Sequence, residues 1–148
     1  MLELNNENKR KSQYLSEIFQ KISKDLSKHE DLILSYSGED SLFLRFNHGK
    51  ARQVTSLNQG IANLTYTENS RTLNYKLQVT GVEEIDRPRM ESALRFCRDK
   101  VKSLPEDPFL GPLENNGVTK EHFKGNLPRI PNLSKNLFEA ANSLDFTG

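Results

Sequence analysis

The chain has 148 residues and a net charge of +1, from 21 Lys and Arg against 20 Asp and Glu, a length that fits one ordinary domain and excludes two full ones. A hydrophobic fraction of 34% and a mean hydropathy of −0.71 allow a modest core and are low for a self-sufficient enzyme. Basic and acidic residues number 6 and 5 over residues 1–30, 5 and 4 over 31–81, 6 and 7 over 82–110, and 4 and 4 over 111–148, so no segment offers the basic excess that nucleic-acid binding through phosphates requires.

Between Asn6 and Lys28, the residues Tyr14, Leu15, Ile18, Phe19, Ile22 and Leu26 recur at spacings of three and four, which predicts an amphipathic helix with a solvated charged face. From Asp31 the pattern becomes extended. Leu32 to Tyr36 and Leu42 to Phe46 read as two strands, separated by the turn-like Ser37-Gly38-Glu39-Asp40 and followed by Asn47-His48-Gly49. Lys50 to Leu57 and Gly60 to Thr67 read as two more. After the polar turn Glu68-Asn69-Ser70-Arg71 comes the clearest strand, Thr72 to Thr80, in which Leu73, Tyr75, Leu77 and Val79 alternate with polar residues. Short connections make this an antiparallel meander of about five strands. Gly81 ends the sheet, and Asp86 reads as the N-cap of a second amphipathic helix, with Pro88 in its first turn. Met90, Leu94, Cys97, Val101 and Leu104 form its stripe and Pro105 stops it. The expected fold class is therefore α+β over residues 1–110, with both helices on one sheet face. The other face, rich in Thr, Asn, Lys and Gln, meets water or a partner.

Beyond this, Pro105, Pro108, Pro112, Pro128 and Pro131, with Gly111, Gly117, Gly125 and the pair Asn115-Asn116, predict an extended arm up to Asn132. A short helix from Ser134 to Leu144 follows, with Ser134 as cap and Leu137, Phe138 and Ala141 as apolar positions. The arm is long for so small a core, so residues 111–148 are expected to lead into a larger domain absent from this chain.

Catalytic signals are sparse. His29, His48 and His122 lie in separate segments, and none completes an H-E-x-x-H or H-E-x-x-x-H helix, so no metal or other cofactor is expected on this chain. Each histidine reads as solvent-exposed. Cys97 excludes an internal disulfide, fits a reducing compartment, and on an apolar stripe is expected to be buried and inert. No G-x-S-x-G elbow and no glycine-rich phosphate loop is present. No run approaches the ~20 apolar residues of a membrane span, and no apolar stretch follows Lys9-Arg10-Lys11 as a secretory signal requires. The expected setting is cytoplasmic, without membrane contact. The densest polar run is Arg45-Phe46-Asn47-His48-Gly49-Lys50-Ala51-Arg52-Gln53, three cations around a tight turn. Its arginines suit a carboxylate, a peptide terminus or a partner domain, or they guard a sheet edge against aggregation.

Several segments carry a resemblance in their order and spacing. Gly38-Glu39-Asp40-Ser41-Leu42-Phe43-Leu44-Arg45-Phe46-Asn47, then Lys50-Ala51-Arg52-Gln53, Asp86 opening a helix, and Leu104-Pro105-Glu106-Asp107-Pro108 resemble the N-terminal domain of TldD/PmbA proteins. These are zinc metallopeptidases also described as modulators of DNA gyrase. The similarity spans roughly Asp31 to Leu110, and Asp145-Phe146-Thr147-Gly148 resembles the lead into the family's larger C-terminal domain. The resemblance implies a non-catalytic α/β domain. Hydrolysis belongs to the C-terminal domain, where one subunit type carries an H-E-x-x-x-H zinc motif and its partner type lacks it. It further implies a homo- or heterodimer with another such subunit and a peptide substrate held by the full assembly. Arg45, Asn47, Arg52 and Gln53 match the polar strand motif and are the expected substrate- or partner-binding residues. The alternative is a stand-alone protein- or peptide-binding module that uses its open sheet face or an edge strand. Charge balance disfavours a nucleic-acid adaptor.

Overall fold

The computed structural model describes residues 6–48, 50–111, 113–114, 117–119, 121, 123, 125 and 130–141, with backbone alone at 6, 130, 131 and 141. The elements are α1 (Asn6–Ile22), β1 (Glu30–Asn47), β2 (Lys50–Glu68), β3 (Arg71–Gln78), α2 (Glu83–Lys100) and α3 (Ile130–Ala141). Single 3-10 turns, Ser23–Asp25 and Val101–Ser103, extend α1 and α2. The chain divides into two compact units, Met1–Asp40 with Asn58–Glu114, and Ser41–Leu57 with Asn115–Gly148.

The α+β class and the antiparallel pairing agree with expectation, but the sheet has three strands in the order β1-β2-β3 among the described residues, not about five. The segments expected as separate strands fuse in pairs: Leu32 to Tyr36 with Leu42 to Phe46 in β1, and Lys50 to Leu57 with Gly60 to Thr67 in β2. The cause lies in two glycines. Gly38 sits within β1 and Gly60 within β2, and the Tyr36 hydroxyl crosses both. A Cβ at Gly38 would stand 2.7 Å from the Tyr36 oxygen and 2.6 Å from Asn8 Oδ1, and a Cβ at Gly60 would stand 2.9 Å from the same hydroxyl. Both glycines serve close approach inside a strand rather than a turn. The true turns do use left-handed backbone: Asn69 and Ser70 between β2 and β3 have φ of 48° and 59°, and His48 after β1 has φ of 48°. Gly49 of the first turn lies outside the described residues.

In the first unit, α1 and α2 cover one face of the sheet. Tyr14, Leu15, Ile18 and Ile22 of α1 and Met90, Ala93, Leu94 and Cys97 of α2 pack with Ala62, Leu64, Tyr66, Leu77 and Val79. Leu32, Leu34, Tyr36, Leu73 and Tyr75 border this core. Register places Leu64 opposite Tyr75 and Tyr66 opposite Leu73, so apolar pairs fill the covered face. On the other face Asn63 lies opposite Lys76, Thr65 opposite Asn74 and Thr67 opposite Thr72, and Thr65 Oγ1 meets Asn74 Oδ1 at 2.6 Å.

Helix α2 starts three residues before Asp86, with Val82 at its N-cap. Asp86 is therefore an interior residue that reaches back to the preceding segment, and Pro88 lies inside the helix. Asp86 is not a cap because its carboxylate bonds the Thr80 and Gly81 amides of the segment before the helix, not the orphan amides of the helix's own first turn.

In the second unit, Phe46 of β1 is buried against Phe138 of α3, edge to face with ring centroids 5.1 Å apart. Ser134 lies within α3 and does not cap it, because the helix begins at Ile130. The described residues between Ser103 and Ile130 include no helix or strand. Pro112, Asn115, Asn116, His122, Pro128, Leu144 and Asp145-Phe146-Thr147-Gly148 lie outside the described residues. Among the described residues no helix is long and apolar enough to cross a membrane.

Candidate functional site

Arg45, Asn47, Arg52 and Gln53 are gathered at one end of the β1–β2 hairpin. Arg45 is two residues before the end of β1 and Arg52 two residues after the start of β2. The period-2 pleat puts Arg45 and Asn47 on the face opposite Phe46, whose ring takes Phe138. Arg45, Arg52 and Gln53 are exposed and Asn47 is half-buried. Adjacent residues of a strand point to opposite faces, so Arg52 and Gln53 do not share one. Gln53 Nε2 donates to Thr55 Oγ1 at 3.1 Å. The four residues thus share an end of a hairpin but not a surface. Arg45 and Arg52 carry planar, permanently charged heads of the kind that suits a carboxylate.

The other segments that carry the resemblance anchor the first unit. Asp40 accepts from Asn8 Nδ2 at 2.9 Å and from Asn58 Nδ2, while Asn58 Oδ1 receives the ammonium of buried Lys11. Lys11 also pairs with Glu7 at 3.3 Å. Tyr36 donates to Asn8 Oδ1 at 2.9 Å. These bonds tie α1 to both strands where Asp40 and Asn58 stand.

Asp86 is fully buried. Its carboxylate accepts from the Tyr14 hydroxyl at 2.7 Å, from the Thr80 amide at 3.0 Å and from the Gly81 amide at 3.1 Å, and the Thr80 hydroxyl adds a bond at 3.0 Å. Burial pushes its pKa up, but the Thr80 amide and the Tyr14 hydroxyl outweigh this and hold it below the usual carboxylate value. Tyr14 is raised in turn, by burial first and by Asp86 second.

A second lock joins β1 to α2. Arg98 Nε donates to Glu30 Oε1 at 2.6 Å, and the Tyr66 hydroxyl donates to the same oxygen at 2.6 Å. The Arg98 bond, working against burial, brings the Glu30 pKa down to about 2. Arg71 fixes the Leu104-Pro105-Glu106-Asp107-Pro108 segment: its Nε donates to the Leu104 carbonyl at 2.9 Å and its Nη2 to Glu106 at 2.8 Å, while the Asp107 amide donates to the Ser70 carbonyl at 2.7 Å. Sequence reading could not pair these residues, because Glu30 and Arg98 are 68 positions apart and Arg71 and Glu106 are 35 apart.

Cys97 is buried as expected, and burial raises its thiol pKa, which leaves it a poor nucleophile. His29 and His48 are exposed. Among the described residues no three His, Cys, Asp or Glu side chains converge in a way that could hold a metal ion. The chain matches no protein-family model, no curated protein and no solved structure.

Proposed function

We propose that the chain is the non-catalytic N-terminal domain of a TldD/PmbA-type metallopeptidase subunit of the cytoplasm. On this reading Arg45, Asn47, Arg52 and Gln53 serve subunit pairing and the wall of the peptide-accepting cavity. The observation that carries it is the ribbon of residues 41–57. It has two strands and, among the described residues, no third, yet Phe43, Val54 and Leu57 are 49%, 62% and 38% exposed on it. Helix α3 covers Phe46 of the ribbon, and a partner surface supplies the burial that Phe43, Val54 and Leu57 lack. The bonds of Asp40, Asp86 and the Leu104–Pro108 segment within the first unit are compatible with the reading, while the rest of the resemblance, Ser41–Asn47 and Lys50–Gln53, lies in the second unit.

This chain's residues perform no step of peptide hydrolysis. Zinc, where the assembly uses it, belongs to an H-E-x-x-x-H helix in a following domain or in the partner subunit. The test has two parts. The reading frame beyond Gly148 is expected to encode a larger domain. In the full-length subunit, Arg45→Ala with Arg52→Ala is expected to weaken subunit pairing in sedimentation, or peptide cleavage, at least tenfold. A frame that stops at Gly148, or a double variant unchanged in both assays, refutes the reading.

A further inference from the structure

The register of β2 with β3 decides which backbone groups of β3 are already engaged. Ile61 faces Gln78 and Glu68 faces Arg71, and one step further the Val79 amide donates to the Gly60 carbonyl at 2.8 Å. In an antiparallel ladder only alternate residues direct N–H and C=O at the neighbouring strand. Leu73, Tyr75 and Leu77, in phase with Val79, therefore bond β2. Thr72, Asn74, Lys76 and Gln78 aim their N–H and C=O groups off the sheet. Two contacts agree with this phase: Arg89 Nη1 donates to the Gln78 carbonyl at 2.8 Å, and the Asp107 amide donates to the Ser70 carbonyl at 2.7 Å. They also mark the ends of an open stretch. From Thr72 to Lys76, about 17 Å of extended chain, the outward backbone groups have no partner among the described residues.

A helix flanks this edge. Phe96 of α2 meets the Tyr75 ring at 5.3 Å, edge to face, and is itself 45% exposed. A groove of about 420 Å³ runs between β3 and α2, lined by Lys76, Leu77, Gln78, Pro88, Arg89 and Ser92 among others. Its charged lining residues, Lys76 and Arg89, are both cationic. Arg89 stands 3.6 Å from Asp86 through the same Nη1 that bonds Gln78, which leaves its other donors uncommitted among the described residues. An edge strand beside a helix is a setting in which extended peptides add to a sheet, with the main chain giving affinity and flanking pockets giving choice.

We propose that the β3 edge takes up an extended peptide segment as a fourth strand, with an acidic side chain on the helix-facing side of that segment held by Arg89. The inference is independent of the subunit reading above.

The probe is an end-blocked peptide, Asp-Val-Thr-Val-Thr-Val, labelled with an uncharged boron-dipyrromethene dye so that the Asp side chain is the only carboxylate, titrated by anisotropy against the whole chain. Saturable binding is expected, with amide exchange slowed at least tenfold at Thr72, Asn74 and Lys76 and unchanged at Leu73 and Tyr75. N-methylation of alternate peptide amides is expected to weaken binding at least tenfold in one phase and little in the other. Asn in place of the peptide Asp is expected to weaken it about fivefold, with less salt dependence. Lys76→Pro deletes an outward N–H without touching the β2 ladder and is expected to abolish binding. Should that variant fail to fold, the N-methyl series decides, since it leaves the protein unaltered. No binding at millimolar peptide, indifference to N-methyl phase, or protection elsewhere overturns the proposal. So does a dimer of the chain that the peptide cannot displace from the β3 edge.

Discussion

Between Gly60 and Thr67 of β2 alternate residues are buried, whereas between Lys50 and Leu57 only Thr55 escapes full exposure. The two stretches have the same backbone conformation and lie on one continuous strand. What separates them is what they pack on: the first stretch faces α1 and α2 and pairs with β3, and the second has one strand neighbour, β1, among the described residues. Strand propensity therefore sets conformation in both halves, while burial supplies stability in only one. The polar locks follow the same division. Those at Asp86, Glu30, Arg71 and Lys11 all fall in the first unit, so cooperative unfolding is expected to be a property of that unit.

The largest expected effect comes from Asp86→Ala. It strands the Tyr14 hydroxyl and the Thr80 and Gly81 amides in a buried site, at about 3–5 kcal/mol. Urea unfolding followed by circular dichroism reads it, and a loss below ~1 kcal/mol would mean that these donors reach water. Next, Leu64→Ala, at a fully buried position, is expected to cost about 3 kcal/mol, against less than ~0.5 kcal/mol for Val54→Ala on the same strand. Equal costs would erase the distinction between the two halves. The smallest effect is a pH dependence. The Arg98 bond holds the Glu30 carboxyl down to about 2 in the fold, against an ordinary 4.5, so the folded pKa is depressed. Its stabilisation is complete above 4.5 and is lost as pH falls through about 2. The contribution is at most about 3 kcal/mol. Glu30→Gln is expected to flatten the stability profile across that window, and a profile as steep as the parent's would assign the acid sensitivity to another carboxylate.

Much of the first unit is legible in the sequence. The stripe of Tyr14, Leu15, Ile18 and Ile22, the alternation from Leu73 to Val79 and the stripe of Met90, Leu94 and Cys97 each bury the face their period indicates. Gly38 reads as a turn residue because a glycine announces either a turn or a close approach, and only the partner decides which. That partner is the Tyr36 ring, one residue type among many that could have stood there. Asp86 lies one helical turn inside the helix it reads as capping, because its carboxylate serves the Thr80 and Gly81 amides ahead of the helix, partners that a capping pattern does not announce. At the hairpin end the four expected residues were readable as a cluster in sequence. Their division between two faces is also readable from adjacency alone, since Arg52 and Gln53 are consecutive in an extended strand. The open edge of β3 was not readable, because alternation identifies the two faces of a strand but not which of its sides lacks a neighbour.

Cys97 gives the molecule a built-in clock. It is the sole thiol of the chain and fully buried between the helices and the sheet, so an alkylating reagent can reach it only when the first unit opens. Under conditions where closing outpaces reaction, the labelling rate divided by that of a free thiol is the equilibrium population of the open form. The same measurement, repeated with a bound peptide or a paired subunit, converts binding into a slower tick at a site that neither ligand touches.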